Sequence, residues 1–164
     1  MKSLFGTDGI RAEAGQFPLD PSTVKSIGYS LARHLSDARS RPKIVIGRDT
    51  RESGGWIEHA LTSGATEGGA ECHSAGVITT PGVAYLTTTL PADAGVVVSA
   101  SHNPFQDNGI KIFSPTGQKI SEAVEKQIEQ DVFLAQTDNQ ALVPDQIVDS
   151  SARAELAQRP AFPR

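Results

Sequence analysis

The segment Ser99-Ala100-Ser101-His102-Asn103-Pro104, running on through Asp107-Asn108-Gly109-Ile110-Lys111, has the residue types of a reactive loop. A serine just past an apolar β-branched run, in a loop stiffened by a proline, is placed to act as a nucleophile. The same composition also suits an ordinary turn, because Ser, Asn, Asp, Pro and Gly are what turns prefer. A second polar cluster, Arg48-Asp49-Thr50-Arg51, follows another apolar run. Its arginines read first as structural, holding their loop through Asp49, with substrate binding as the other role open to them. His34, His59 and His73 have no partners at ligand spacing, and Cys72 is the only cysteine, so no internal disulfide and no thiol pair is available.

The elements that must carry these loops follow from periodicity. Asp20 is a good N-cap, Pro21 suits the first helical position, and Val24, Ile27, Leu31 and Leu35 recur at helical spacing. Lys43 to Gly47 is a short apolar β-branched run, read as a buried strand. Ser53 can cap a second helix with Trp56, Ile57, Ala60, Leu61 and Ala65 inward, stopped by Gly68-Gly69. A weaker strand is expected over Glu71 to Ala75 and a short helix from Thr80-Pro81. The best strand is Gly95 to Ser99, and another follows at Gly109 to Phe113. Ser121 can cap a last helix with Val124, Ile128 and Val132 on one face. From Gln136 onward the pattern fades into a polar, linker-like tail.

Strands alternating with helices imply a mostly parallel sheet with helices on both faces, and ligands in such sheets bind at the carboxyl ends of the strands. The expected fold is a three-layer α/β/α domain with a four-stranded, mostly parallel (mixed) sheet over residues 1–135, followed by a tail over 136–164. The carboxyl-end rule places the loops after the three parallel strands, Arg48–Arg51, Val77–Thr80 and Ala100–Asn108, on one edge.

Composition narrows the classes. A chain of 164 residues with 38% hydrophobic and 21% charged residues fits one globular domain. Its formal charge of −4 argues against a dedicated nucleic-acid binder, yet a small anionic ligand needs only a local cluster of cations. The opening residues hold no apolar run of signal-peptide type, and no stretch approaches the roughly 20 apolar residues of a membrane span, so the expected compartment is the cytoplasm, with no membrane partner.

The Ser-His-Asn-Pro segment at Ser101–Pro104 resembles the phosphoserine loop of the α-D-phosphohexomutases. The opening Leu4-Phe5-Gly6-Thr7-Asp8-Gly9-Ile10-Arg11 is similar to the start of the phosphoglucosamine mutases in that family. Gly47-Arg48-Asp49-Thr50-Arg51 and Thr79-Thr80-Pro81 are further matches in the same order, and together they cover about Lys2 to Leu134. The resemblance implies that Ser101 carries the transferred phosphate, that Arg11 and Lys111 neutralise developing charge, and that the last strand is antiparallel. It makes Lys111 the preferred proton-transfer group, with His102 as the alternative and Asn103 joining Arg48 and Arg51 as substrate-binding candidates. Both histidine and lysine also have bland readings, a loop hydrogen bond for His102 and an outward residue on an edge strand for Lys111.

The reaction so implied interconverts glucosamine 6-phosphate and glucosamine 1-phosphate through a bisphosphate. A phosphomannomutase or phosphoglucomutase is the alternative, and a non-catalytic isolated domain is the competing class. The family binds Mg²⁺ through a phosphoserine oxygen, here on Ser101, and through aspartates of a second domain. Asp131, Asp138, Asp145 and Asp149 are too scattered to supply such a site. The family's sugar-reading and distal phosphate-binding loops are also unmatched, so the chain by itself is expected to be inactive.

Overall fold

The computed structural model describes residues 3–36 and 41–141. Within them the elements run in the order β1 (Ile10–Glu13), α1 (Pro21–Leu35), β2 (Lys43–Arg48), α2 (Gly54–Glu67), β3 (Glu71–Val77), α3 (Thr80–Thr89), β4 (Ala94–Val98), β5 (Asp107–Phe113) and α4 (Glu122–Ala141). Most helix starts are built as their sequences suggest. Asp20 accepts from the Thr23 amide at 3.0 Å, Thr79 accepts from the Gly82 amide at 3.2 Å, and the Ser121 hydroxyl accepts from the Val124 amide at 3.4 Å. Ser53 precedes α2 but does not cap it; its hydroxyl is used elsewhere, by Asn108. α4 continues past Gln136 to Ala141, and the remainder of the expected tail lies outside the described residues.

The architecture is three-layer α/β/α, but the sheet has five strands rather than four, in the order β1-β5-β4-β2-β3. β2 pairs in parallel with β3 and β4, whereas β5 runs antiparallel to both β4 and β1. The missed strand, β1, is four residues long and buries only Ile10 fully. Ile10 and Ala12 alternate with Arg11 and Glu13, but four residues with one large apolar side chain are too short a run for the period-2 signal to stand out. It is a strand because its backbone pairs with β5, in register from Ile10–Ile110 to Glu13–Asp107. That pairing makes β5 an interior strand, so Lys111 does not lie on an edge.

The two faces of the sheet are filled differently. Ile44, Ile46, Val96, Val98, Ile110 and Ile112 point into the main core with Ile27, Leu31, Ile57, Leu61, Ile128 and Val132 from α1, α2 and α4. On the opposite face α3 packs on β2 and β4, over Val45 and Val97. Lys111 stands opposite Val97 in the ladder, and Arg11 stands opposite Gly109, two residues from Lys111 along β5. Strand alternation therefore puts both cations on the α3 face, on the two strands beside the helix's footprint. Apolar side chains hold the sheet where α3 lies on it; charged ones take over where it does not.

α1 and α2 cross with their backbones nearly touching. A Cβ at Gly64 would lie 1.9 Å from the Lys25 carbonyl oxygen, and one at Gly28 would lie 2.2 Å from that of Leu61. Gly64→Ala should therefore force the helices apart and lower stability by about 1–3 kcal/mol, seen as a drop of several degrees in Tm. Gly55→Ala, which meets nothing within 4 Å, should leave the transition unchanged or raise it slightly.

Ser3, Leu4 and Phe5 are tied to α4 by one carboxylate. Glu129 Oε1 accepts from the Leu4 amide at 2.6 Å, the Phe5 amide at 2.8 Å and the Ser3 hydroxyl at 2.7 Å. Partial burial pushes the Glu129 pKa up, but the hydrogen bonds from Phe5, Ser3 and Leu4, with Lys126 nearby, outweigh it and leave it below the ordinary glutamate value. A depressed folded-state pKa means that the carboxylate's contribution is present above the unfolded value of roughly 4.3 and is lost as pH falls through the folded one. Glu129→Gln should lower Tm at neutral pH, with the gap to the unmodified chain closing at pH values below ~4 in thermal scans.

Candidate active site

Ser101 sits in the loop between β4 and β5, at the carboxyl end of β4, with backbone φ of 57°. The left-handed region is costly for a residue with a Cβ, by ~1–2 kcal/mol, so the surroundings must impose it. Arg51 does so. Its Nη1 donates to the carbonyls of Pro104 and Asp107 and its Nη2 to those of Ser101 and Asn103, at 2.5 to 3.0 Å. Its Nε donates to Asp49 Oδ2 at 3.1 Å, while the Arg51 amide donates to Asp49 Oδ1 at 3.0 Å.

Asp49 also binds the loop from the other side, accepting from the Ser99 hydroxyl at 2.7 Å. Ser99 Oγ in turn accepts from the Ser101 amide at 3.1 Å. The two serines thus divide the work. Ser99 is committed to holding the loop, and Ser101 is exposed, its hydroxyl entering no hydrogen bond among the described residues. Asn108 completes the frame: fully buried, it donates to Ser53 Oγ at 2.8 Å and accepts from the Gly109 amide at 2.9 Å, fixing the start of β5 to the α2 entrance.

Arg11 links the loop to the α3 face. Its Nη1 donates to Asn103 Oδ1 at 3.1 Å, and Asn103 Nδ2 donates to Asp107 Oδ2 at 3.0 Å. Arg11 Nη2 lies 3.3 Å from Asp8 Oδ2, and Lys111 Nζ lies 3.7 Å from the same oxygen. Arg11 Nε is buried and has no protein partner among the described residues. A guanidinium with an unused donor and a nearby ammonium is suited to an anionic oxygen-rich group.

The structure brings Ser101, Asn103, Arg11 and Arg51 into one connected set, with Lys111 joined through Asp8. It does not bring Arg48 there: its Nε donates to Glu58 of α2 at 2.9 Å, and Glu58 also accepts from Ser74. His102 is exposed and its ring enters no hydrogen bond among the described residues. Two contributors escaped sequence reasoning. Asp8 carried no signal beyond its place in the opening motif, and Asn108 was indistinguishable from a turn residue before its burial was known.

A cavity of about 860 Å³ opens beside the loop on the α2 side, lined by Ser101, Asn103, Asp49, Arg51, Ser53 and Trp56. Arg11 and Lys111 line separate concavities on the α3 face. The cations, rather than the larger cavity, mark the side on which an anion would approach. No group of three or more His, Cys, Asp and Glu among the described residues could hold a metal ion. The carboxylates beside the loop are already engaged, Asp49 by Ser99 and Arg51 and Asp107 by Asn103, so these residues do not by themselves fit Mg²⁺. Among the described residues no helix is long and apolar enough to cross a membrane.

Comparison with known proteins places this geometry. Phosphoglucosamine mutase of Koribacter versatilis is 53% identical over 133 residues, covering 81% of this chain and 29% of the relative. A phosphoglucosamine mutase of Thermus thermophilus is 47% identical, covering 79% of this chain and 30% of the relative. A crystal structure of a phosphoglucomutase/phosphomannomutase family protein from Burkholderia thailandensis superposes with a TM-score of 0.67 at 27% identity, over 81% of this chain and 30% of that one. The chain thus spans about three tenths of the length of the relatives it matches. Residues 2–139 match the family model described as phosphoglucomutase/phosphomannomutase, alpha/beta/alpha domain I, a span that holds the braced serine loop and both of its cations, and the chain belongs to that family.

Proposed function

We propose that this chain supplies the phosphoserine-bearing domain, residues 1–135, of a phosphoglucosamine mutase, and that Ser101 is the residue that carries the phosphate. The observation that carries the reading is the division of labour at the loop. Ser99 is bound to Asp49, and Ser101 is presented in a left-handed turn whose carbonyls Arg51 holds. In the transfer, the bond from phosphorus to Ser101 Oγ breaks and a bond to a sugar hydroxyl oxygen forms, while the hydroxyl proton passes to a base. Lys111, as the neutral amine, is the preferred acceptor and becomes the charge-bearing ammonium as it takes the proton, with His102 the alternative. Arg11 and Lys111 offset charge on the transferring group. Arg51 acts on the loop rather than on the sugar, and Asn103 orients Arg11.

Relatives named phosphoglucosamine mutase, at 53% and 47% identity, support this substrate class. We take hexosamine 6- and 1-phosphates and their bisphosphate as ligands, in the cytoplasm, without nucleic acid or membrane. A phosphomannomutase or phosphoglucomutase would use the same loop, so sugar choice rests on residues elsewhere. A Mg²⁺ requirement belongs to the complete protein, with aspartates from a further domain.

Two outcomes test this. Incubation with glucosamine 1,6-bisphosphate should place one phosphate on Ser101, read by intact mass and peptide mapping. Phosphate on Ser99 instead would overturn the assignment. In a coupled assay with glucosamine 6-phosphate, Mg²⁺ and bisphosphate activator, the chain alone should not exceed its Ser101→Ala control. Positioning and electrostatic groups each contribute factors of ~10² or more, and the family's sugar-reading and distal phosphate-binding loops are unmatched in this sequence. Steady turnover above the control would mean that the described residues, or copies of the chain acting together, already complete the site.

A further inference from the structure

Among the described residues Asp8 is the anion that faces both cations of the α3 face, and its setting is built rather than incidental. Gly6 and Gly9 exchange backbone hydrogen bonds, the Gly6 amide to the Gly9 carbonyl at 2.8 Å and the Gly9 amide to the Gly6 carbonyl at 3.3 Å, which puts Thr7 and Asp8 at the tip of a tight turn. Gly9 has φ of 92° and lies flat on β5; a Cβ there would sit 2.4 Å from the Ile110 carbonyl oxygen. Only glycine lets the turn approach so closely. The result is that one oxygen, Asp8 Oδ2, lies 3.3 Å from Arg11 Nη2 and 3.7 Å from Lys111 Nζ.

The burial is lopsided. The side chains of Arg11 and Lys111 are 24% and 25% exposed, whereas that of Asp8 is 66% exposed. The cations are fixed on strands; the anion is on the solvent side of them and can swing away without disturbing the sheet. An ordinary exposed ion pair joins two mobile surface chains and contributes little. Here a single exposed carboxylate serves two cations anchored on strands.

We propose that the Asp8 carboxylate is a resident counter-anion that occupies the phosphate position between Arg11 and Lys111 and must be displaced when a phosphate group binds there. This rests on the phosphoryl-transfer reading of the site. The role is positioning, not chemistry. When phosphate is absent, Asp8 keeps the two like charges from repelling each other and holds them aimed at a common point. When phosphate is present, the same carboxylate competes with it, so the cations grip the ligand less tightly than they otherwise would. A mutase that must release one phosphate of its bisphosphate and accept the other needs a grip of that limited kind, since uniform tight binding would slow exchange without aiding transfer.

The test uses the full chain, with inorganic phosphate as the probe, titrated at low ionic strength and a pH of about 7.5, where phosphate is mostly dianionic. Binding is followed by NMR of the Lys111 side chain, assigned with Lys111→Met. Asp8→Asn keeps the size and turn preference while removing the charge; Asp8→Ser is the second variant should the first disturb the turn. The expected result is phosphate binding roughly 3- to 10-fold tighter in the charge-removed variant, as expected for removal of one charge at contact distance in a high-dielectric setting. The gain should shrink in ~0.5 M NaCl. Equal or weaker phosphate binding in the variants would overturn the proposal, because a carboxylate that competes for the phosphate position cannot lose its charge without favouring phosphate. So would the absence of any phosphate-dependent change at Lys111 in all the proteins, or a gain undiminished by salt. The titration does not involve transfer to Ser101, so it can fail while Ser101 phosphorylation succeeds, and the reverse.

Discussion

Arg51 holds five hydrogen bonds, one for each N–H of its guanidinium: one to the carboxylate of Asp49 and four to backbone carbonyls of the β4–β5 loop. A loop of this kind would otherwise present those carbonyls to water and sample many conformations. Fixing them around one planar cation removes that freedom and forces Ser101 into the left-handed region. Asp49 makes the arrangement possible, because it orients Arg51 and restrains Ser99 at the same time. The rest of the site depends on this brace. Asn103 is held where Arg11 can reach it, and Arg11 in turn points from β1 toward the loop. Lysine at position 51, with a compact ammonium and three donors, could not reproduce the set.

The sheet carries this construction on its two faces. On one, aliphatic side chains from alternate positions of β2, β4 and β5 fuse with three helices into a single core. On the other, a short helix covers only part of the surface, and the neighbouring strands present cations. The carboxyl-end rule for α/β sheets locates the serine loop, but not Arg11 and Lys111, which stand on the face of the sheet. Their placement follows from antiparallel pairing of β5 with β4 and of β1 with β5.

Much of this is legible from residue types alone. Runs such as Ile44-Val45-Ile46 and Val96-Val97-Val98 read as buried strands, Asp20-Pro21 marks a helix start by capping chemistry, and Thr80-Pro81 marks another. The Ser101 loop stands out by composition and gains its meaning from resemblance. What stays hidden is information held in pairings between distant segments. β1 is too short for its alternation to stand out and is held by its partner strand. Arg51 reads as a loop cation until its carbonyl partners, some fifty residues away in sequence, are in place. Gly28 of α1 and Gly64 of α2 carry no periodic signal, yet they let the two helix backbones meet. Ser53 looks like a cap and is instead the partner of a buried asparagine.

The left-handed serine also has an evolutionary side. At position 101 two demands collide: the backbone wants glycine and the proposed chemistry wants a hydroxyl. A lineage under selection for stability alone would drift to glycine there and lose the exposed hydroxyl while the fold remained intact. Retaining serine therefore keeps the brace under selection too, since every weakening of Arg51 or Asp49 would let the loop relax to a conformation that suits the side chain and misplaces the hydroxyl. The loop and its brace can change only together, and a copy released from catalysis would be expected to show it first at these three positions.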